Sequence, residues 1–406
     1  MLKKKKRNIL EKVLALGVGY VLAELLVAGL NLIPITEVLI DYKGKRGFYE
    51  YMHKMFYVYS KEDETLGFVS KSNIDDSVTV NITFKYNTDD YGFRNKQNNY
   101  KKTEIAIVGD SFAYAYGVEM ENSWASKLEQ LLNVTISNFG VVGYSPWQYN
   151  ETMKRFPDFF RNKTVLYCLY TNDFAKIITS PSKDYYKRTG RDYFESNSPS
   201  FFDLVAVETA NDSFFDRTVT SALYHEIVDE KNVVGLSNGS ILYKEENEVK
   251  EDWTSRENRE YLHRNLSEAH KLATENDSQM VVVLFPSRLA TLSGEYIKHF
   301  QEKKPIKHEK ELFKMAKEES TNLGLEVIDL SKPLEEGYTS ENPTYNLIDF
   351  HLSSYGNQVA AREIACSLER WGYIKPIKTT TENCTEKPTL TYVVTSGIIH
   401  LDEIDF

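Results

Sequence analysis

A serine hydroxyl becomes a useful nucleophile at neutral pH only when a base takes its proton and an acceptor orients that base. This chain contains the residue types for that arrangement at two widely separated places. The first is Ile105-Ala106-Ile107-Val108, a short apolar run that stops at Gly109-Asp110-Ser111. The second is Asp349-Phe350-His351, a carboxylate and an imidazole with one residue between them. Ser111 is the candidate nucleophile and His351 the candidate base. Asp349 is the candidate orienter of the ring, with a more distant carboxylate as the alternative. A neutral imidazole can take the serine proton at one nitrogen while a carboxylate at the other fixes its tautomer. Asp110 reads as a structural hydrogen-bonding residue beside the nucleophile. Ser111 by itself would also suit a helix N-cap.

Positioning these groups requires strands that end where the chemistry begins. Strand patterns fall at 104–109, 134–138, 163–170, 279–285 and 325–330. Helix patterns fall at 122–132, 146–156, 254–275, 306–322 and 354–371. Strands alternating with helices predict an α/β fold with a parallel sheet of about five strands and helices on both faces. In such folds ligands meet the carboxyl ends of the strands, which is where Ser111 would stand. Ser353 or Ser354 would cap the helix that follows His351.

Two further segments lie between the nucleophile and the base: Asn138-Phe139-Gly140-Val141-Val142-Gly143-Tyr144-Ser145 and Tyr170-Thr171-Asn172-Asp173. With Gly-Asp-Ser before them and Asp-x-His after them, these pieces resemble, in kind and order, the SGNH (GDSL-type) hydrolase superfamily. The resemblance covers residues 103–371. It implies a three-layer, flavodoxin-like domain and a serine esterase that uses no cofactor and no metal. It also implies an oxyanion hole built from the Ser111 N–H, the Gly140 N–H and the Asn172 side chain. The superfamily usually places two residues between the aspartate and the histidine, whereas this chain has one. That shorter spacing resembles membrane-linked polysaccharide O-acetyltransferases of the alginate type.

Hydrolysis of acyl esters, above all acetyl esters on cell-surface glycans, is the function expected from this resemblance. Transfer of an acetyl group onto a polysaccharide is the alternative. A non-catalytic module that binds a glycan or partner on the same scaffold is the third reading. Other α/β chemistries fit less well. Gly-x-Gly-x-x-Gly and Gly-x-x-x-x-Gly-Lys phosphate loops are absent, and Ser111 lacks the Gly-x-Ser-x-Gly setting of an α/β-hydrolase elbow. No Cys/His or His/Asp group has metal-ligand spacing. The net charge is −10 and the only dense basic run is Lys3-Lys4-Lys5-Lys6-Arg7, so nucleic acid is not an expected partner.

That basic run precedes an apolar stretch, Val13 to Ile33, long enough as a helix to span about 31 Å. It reads as a transmembrane signal-anchor with a cytoplasmic N-terminus and the remaining chain outside. Glu24 within it would cost about 2.5–3.5 kcal/mol unless protonated or met by a membrane partner helix. A cleaved signal peptide and a soluble amphipathic helix are the alternatives. The organisation expected is a basic tail and anchor over 1–34 and a leading segment with a strand or hairpin over 35–102. The catalytic domain follows over 103–371, and a tail over 372–406. Within the leading segment, Val78 to Phe84 alternates as a strand would. Residues 175–252 have no clear period and read as an insertion over the active-site end of the sheet. Leu390 to Ile399 could add a terminal strand. Cys168 reads as a buried core thiol, while Cys366 and Cys384 could pair in an oxidising compartment. Asn-x-Ser/Thr sequons recur from Asn81 to Asn383, in keeping with an outside location.

Overall fold

The computed structural model describes residues 59–80, 82–96, 100–174, 233–235, 241–243, 251–301, 303–346 and 350–374. The strands are β1 (Ser60–Asp63), β2 (Gly67–Ser70), β3 (Asp75–Val80), β4 (Ile82–Asn87), β5 (Ile105–Val108), β6 (Ile136–Asn138), β7 (Thr164–Tyr170), β8 (Val233–Gly235), β9 (Ile241–Tyr243), β10 (Gln279–Phe285) and β11 (Glu326–Asp329). The helices are α1 (Ser111–Tyr114), α2 (Trp124–Leu132), α3 (Pro146–Arg155), α4 (Arg256–Glu275), α5 (Arg288–Thr291), α6 (Ser293–Phe300), α7 (Lys304–Asn322), α8 (Ser331–Gly337) and α9 (Ser354–Arg370).

Five strands form one parallel sheet in the order β6-β5-β7-β10-β11. Numbered along the chain, this is the 2-1-3-4-5 order of doubly wound flavodoxin-like sheets. The two halves of such a sheet wind in opposite senses from the gap between its first and third strands. Here that switch point lies between β5 and β7, and such folds bind their ligands at the carboxyl ends of the strands there. β5 delivers Ser111 to it and β7 delivers Asn172.

Side chains alternate between the two faces of the sheet, as the two-residue strand period requires. Ala106, Val108, Val165, Tyr167, Leu169, Val282 and Leu284 pack beneath α3, α4 and α7. Ile105, Ile107, Leu166, Cys168, Val281, Val283 and Phe285 pack beneath α2, α8 and α9. Because both faces are covered, β7 is buried along its whole length. The apolar stripe of α4 recurs at Leu262, Leu266, Ala269 and Ala273, a helical spacing that keeps one face on the sheet.

All five expected sheet strands and the five expected long helices are present, with shifts of a few residues at their ends. The expected helix start near Asn122 is a separate turn of 3₁₀-helix, Met120–Asn122; Ser123 caps α2 by accepting from the Ser126 N–H. Ser353 caps α9, accepting from the Gly356 N–H at 3.0 Å. Of the strand or hairpin expected around Val78–Phe84, the structure forms the hairpin, its arms β3 and β4 paired from Asp75↔Asn87 to Val80↔Ile82. Alternation alone does not distinguish a strand that continues from one that folds back on itself.

Between 175 and 252, the described residues include the two-stranded pair β8–β9 and the start of a 3₁₀ turn, Glu251–Thr254. The apolar stretch Val13–Ile33, Asp349, Cys384 and Leu390–Ile399 lie outside the described residues. Among those described, no helix is long and apolar enough to cross a membrane. Cys168 is free and buried, and Cys366 is disulfide-bonded.

Candidate active site

The nucleophile strand turns sharply after Val108. Asp110 caps the short helix α1, its Oδ1 accepting the Phe112 N–H at 2.9 Å, so Ser111 is the first helical residue rather than the cap. Its Oγ lies 2.7 Å from Nε2 of His351, a residue 240 positions further along the chain. Ser111 is half-buried and His351 is 6% exposed. Aromatic rings flank the imidazole: Phe112 at 5.0 Å between centroids, Tyr116 at 4.7 Å and Phe350 at 4.4 Å. Tyr170 stacks on Phe112 at 4.0 Å, extending this wall to the end of β7. Walls of this kind exclude water and leave the imidazole few positions.

The base is held by contacts to its own loop and to α2. Tyr345 bridges Leu352 across the loop, and the Asn346 N–H donates to the His351 carbonyl at 2.9 Å. Asn357 on the first turn of α9 donates to the Leu352 and Ser353 carbonyls at 3.2 and 2.9 Å. Its Oδ1 accepts the Trp124 N–H at 2.9 Å, and the Trp124 indole N–H donates to the Phe112 carbonyl at 2.8 Å. Asn357 and Trp124 thus link the backbone of the base loop to that of α1.

The expected oxyanion donors fare differently. Ser111, at the start of α1, has a backbone N–H with no intrahelical partner, as first-turn positions do. Asn172 lies in the 3₁₀ turn Thr171–Phe174 that ends β7; its Oδ1 is buried without a hydrogen-bond partner among the described residues. The Gly140 N–H is already committed, donating to Asn138 Oδ1 at 2.8 Å. Gly140 serves close packing instead: a Cβ there would come within 2.6 Å of the Tyr114 nitrogen and 2.7 Å of Ala113 Cβ. Gly143, three residues on, is exposed, has φ +81°, and donates no backbone hydrogen bond among the described residues. The sequence holds both glycines in one motif, and only the side-chain bond from Asn138 separates their roles.

Beneath the serine lies a fully buried acidic layer. Burial raises the Asp110 carboxyl to about 6, opposed by the Phe112 N–H and the nearby His351. Asp173 is also raised well above the ordinary carboxylate range, by burial and then by the charge of Asp110. Tyr149 donates its hydroxyl to Asp173 at 3.0 Å and the Tyr170 N–H donates to Asp173 at 2.9 Å.

The role of Arg94 was not apparent from sequence. It comes from the Gly92-Phe93-Arg94 segment ahead of β5 and is 3% exposed. Its guanidinium donates to the carbonyls of Tyr114 (2.9 Å), Ala115 (2.8 Å), Val118 (2.6 Å) and Lys85 (3.3 Å). Three of these belong to the last residue of α1 and the loop after it, so a cation sits where the helix dipole is negative. Asn95 beside it exchanges hydrogen bonds with the Asn138 backbone, at 2.7 Å from its N–H and 3.0 Å to its carbonyl. A pattern of buried carbonyls needing a fork of donors has no signature in a one-dimensional sequence.

No group of three or more His, Cys, Asp or Glu side chains among the described residues could hold a metal ion. Asp349 lies outside the described residues, so the orienting carboxylate is assigned only by sequence.

Comparison with known proteins agrees with the SGNH resemblance. Residues 241–393 match the family model of the SGNH hydrolase-like domain of the acetyltransferase AlgX. The chain resembles the SGNH superfamily and, within it, acetyltransferases of the AlgX type. The matched stretch contains His351, and Ser111 lies upstream of it. Among solved structures, the lipase/acylhydrolase from Enterococcus faecalis is 14% identical, with a TM-score of 0.36, covering 68% of this chain and 99% of its own. Est24, a carbohydrate acetylesterase from Sinorhizobium meliloti, is 11% identical, with a TM-score of 0.34, covering 66% of this chain and 100% of its own. No curated protein sequence matches the chain.

Proposed function

We propose that the chain is a serine-dependent enzyme of the SGNH type acting on acyl esters, with acetyl esters of cell-surface glycans as its substrates. The observation that carries this reading is the 2.7 Å approach of Ser111 Oγ to His351 Nε2 at the switch point of the sheet. Ser111 Oγ attacks the ester carbonyl as its proton passes to Nε2, and a tetrahedral oxyanion forms. The Ser111 N–H and the Asn172 amide donate to it, and the exposed Gly143 N–H takes the place expected of Gly140. The imidazolium then gives its proton to the leaving sugar oxygen, and the acyl group remains on Ser111. Asp349 orients the ring through the other nitrogen. In the second half-reaction a hydroxyl attacks the acyl-serine, its proton passes to His351, and His351 returns that proton to the departing Ser111 Oγ.

Water as that hydroxyl gives an esterase. A sugar hydroxyl gives an O-acetyltransferase, a reading favoured by the AlgX-type match over 241–393 and by the single residue between Asp349 and His351. In this proposal the apolar stretch Val13–Ile33 anchors the chain with its enzyme domain outside, and a partner helix could meet Glu24. The disulfide at Cys366 supports an oxidising location.

The test is p-nitrophenyl acetate turnover by the full chain, with and without acetyl-accepting oligosaccharides and with Ser111→Ala as control. Steady Ser111-dependent release in water supports the esterase. A Ser111-dependent burst that turns over only with acceptor supports the transferase. Labelling by a fluorophosphonate in wild type but not in Ser111→Ala is expected in either case. Its absence would leave the non-catalytic glycan-binding reading.

A further inference from the structure

A buried carboxylate distant in sequence from the serine–histidine pair is connected to it through a continuous run of short contacts. Glu309 on α7 is 3% exposed. Its two oxygens accept the Ser287 N–H at 2.8 Å and the Ser287 Oγ–H at 2.5 Å. Ser287 caps α5 in the turn that leaves the carboxyl end of β10, accepting the Ala290 N–H at 3.2 Å. The residues on either side of it grip the base loop. The Pro286 carbonyl accepts the Tyr345 hydroxyl at 2.5 Å, and Arg288, 1% exposed, donates to the Asn346 carbonyl at 3.1 Å. Asn346 in turn gives its N–H to the His351 carbonyl at 2.9 Å.

Burying a carboxylate is costly unless its hydrogen bonds are made, and capping a four-residue helix does not require one. Glu309 is satisfied at both oxygens by a single residue, which fixes both the position and the tilt of the Pro286–Arg288 turn. Burial raises the Glu309 carboxyl to about 7, the two Ser287 bonds oppose the rise, and Asp329 at the end of β11 adds a smaller push upward. The same turn contributes both groups that hold Tyr345 and Asn346.

We infer that Glu309 is a positioning residue for His351, acting through the Ser287 turn and the Arg288–Asn346 contact on the loop that carries the base. The inference rests on the serine–histidine reading above, and it goes beyond it by assigning the distance between Ser111 Oγ and His351 Nε2 to a carboxylate on α7. Glu309→Gln keeps the size of the side chain and can still accept the Ser287 N–H, but its NH₂ only donates, so the Ser287 hydroxyl loses its acceptor and must turn to accept instead. Ser287→Ala removes the hydroxyl bond alone and is the milder variant.

The full chain, its histidines carbon-labelled at Cε1, serves for two measurements. The His351 resonance is assigned by its loss in His351→Gln. With p-nitrophenyl acetate, Glu309→Gln is expected to lower kcat by about 10- to 100-fold, the scale of a misplaced catalytic group, while KM changes by no more than about twofold. The His351 ring titration is expected to shift in Glu309→Gln, less so in Ser287→Ala, and to return toward wild type in Glu309→Asp. A His351 resonance and titration unchanged in Glu309→Gln would overturn the inference, whatever the kinetics. If Ser111→Ala turns over ester as well as wild type while the His351 titration still moves with Glu309, positioning stands and the hydrolase reading falls.

Discussion

The backbone N–H of Trp124 donates to the side-chain oxygen of Asn357 at 2.9 Å, joining α2 to α9 across 233 residues of sequence. The same asparagine holds the Leu352 and Ser353 carbonyls, and the same tryptophan holds the Phe112 carbonyl. Both catalytic loops are therefore referenced to one contact between two helices.

Replacing Asn357 by Ala leaves the buried Trp124 N–H without its acceptor and takes one donor each from the Leu352 and Ser353 carbonyls, which keep the Asn346 side chain and the residue-357 N–H. A loss of about 1–3 kcal/mol in unfolding free energy is expected, the cost of one unsatisfied buried donor. Urea denaturation measures this, and esterase activity should fall further than the folded fraction alone explains. Equal stability with wild-type activity would show that the helix contact does not hold the loops.

Arg94→Lys tests the guanidinium clamp behind α1. A lysine is a point charge and cannot reach several diverging carbonyls at once. Destabilisation of about 2–3 kcal/mol is expected, with slower acylation of Ser111 measured by fluorophosphonate labelling. Lysine matching arginine in both assays would reduce Arg94 to a space-filling role.

The two glycines of the Asn138 motif should respond differently to a methyl group. Gly140→Ala places Cβ against the Tyr114 nitrogen, which is backbone and cannot easily move. The expected cost is about 1–3 kcal/mol from overpacking. At Gly143 the nearest atom to a built Cβ is Phe68 Cζ at 3.7 Å, so only the φ of +81° opposes alanine. That strain is about 1–2 kcal/mol. Thermal or urea unfolding measures both. Turnover of Gly143→Ala per folded molecule should also fall, because any change in φ redirects the N–H proposed to meet the oxyanion. Unchanged turnover in that variant would argue against Gly143 as the donor.

Stability should depend on pH through Asp110. Its carboxyl is at about 6 in the folded chain and 3.8 without the burial that raises it. A group whose folded value is the higher contributes stability that is complete below the unfolded value and is lost as pH rises through the folded one. The wild type should therefore lose stability between about pH 4 and pH 6, by on the order of 3 kcal/mol from this group. Asp110→Asn can still accept the Phe112 N–H and should flatten that slope. Denaturant titrations at the two ends of this range measure it; a slope unchanged in the variant would remove Asp110 as its source.

Much of this arrangement was legible in the residues. Long apolar runs such as Val165–Leu169 and Met280–Phe285 can only be buried strands in a chain that alternates with amphipathic helices. Ser111 at the end of such a run had one plausible location. Gly140 and Gly143 cannot be told apart locally, because a glycine packed against α1 and a glycine offering its N–H look alike in sequence. The short helices α5, α6 and α8 were missed because none is long enough to show a helical period. The strand-or-hairpin choice over Val78–Phe84 stays open in sequence because its alternation continues through the fold-back of β3–β4. The contributions of Arg94, Asn357 and Glu309 depend on carbonyls and turns brought together by tertiary structure, and no local pattern announces them.

The Trp124–Asn357 contact also has a consequence for timing. The serine emerges early from the ribosome and the imidazole late, and nothing local holds them together in the interval. Under the proposed mechanism Ser111 is activated only when α9 docks on α2, a helix synthesised more than two hundred residues before it. A nascent or partly threaded chain therefore carries an inert hydroxyl. Pairing across so long a separation also makes this docking one of the slower steps of folding. On the proposed function, acyl chemistry therefore waits until this docking is complete.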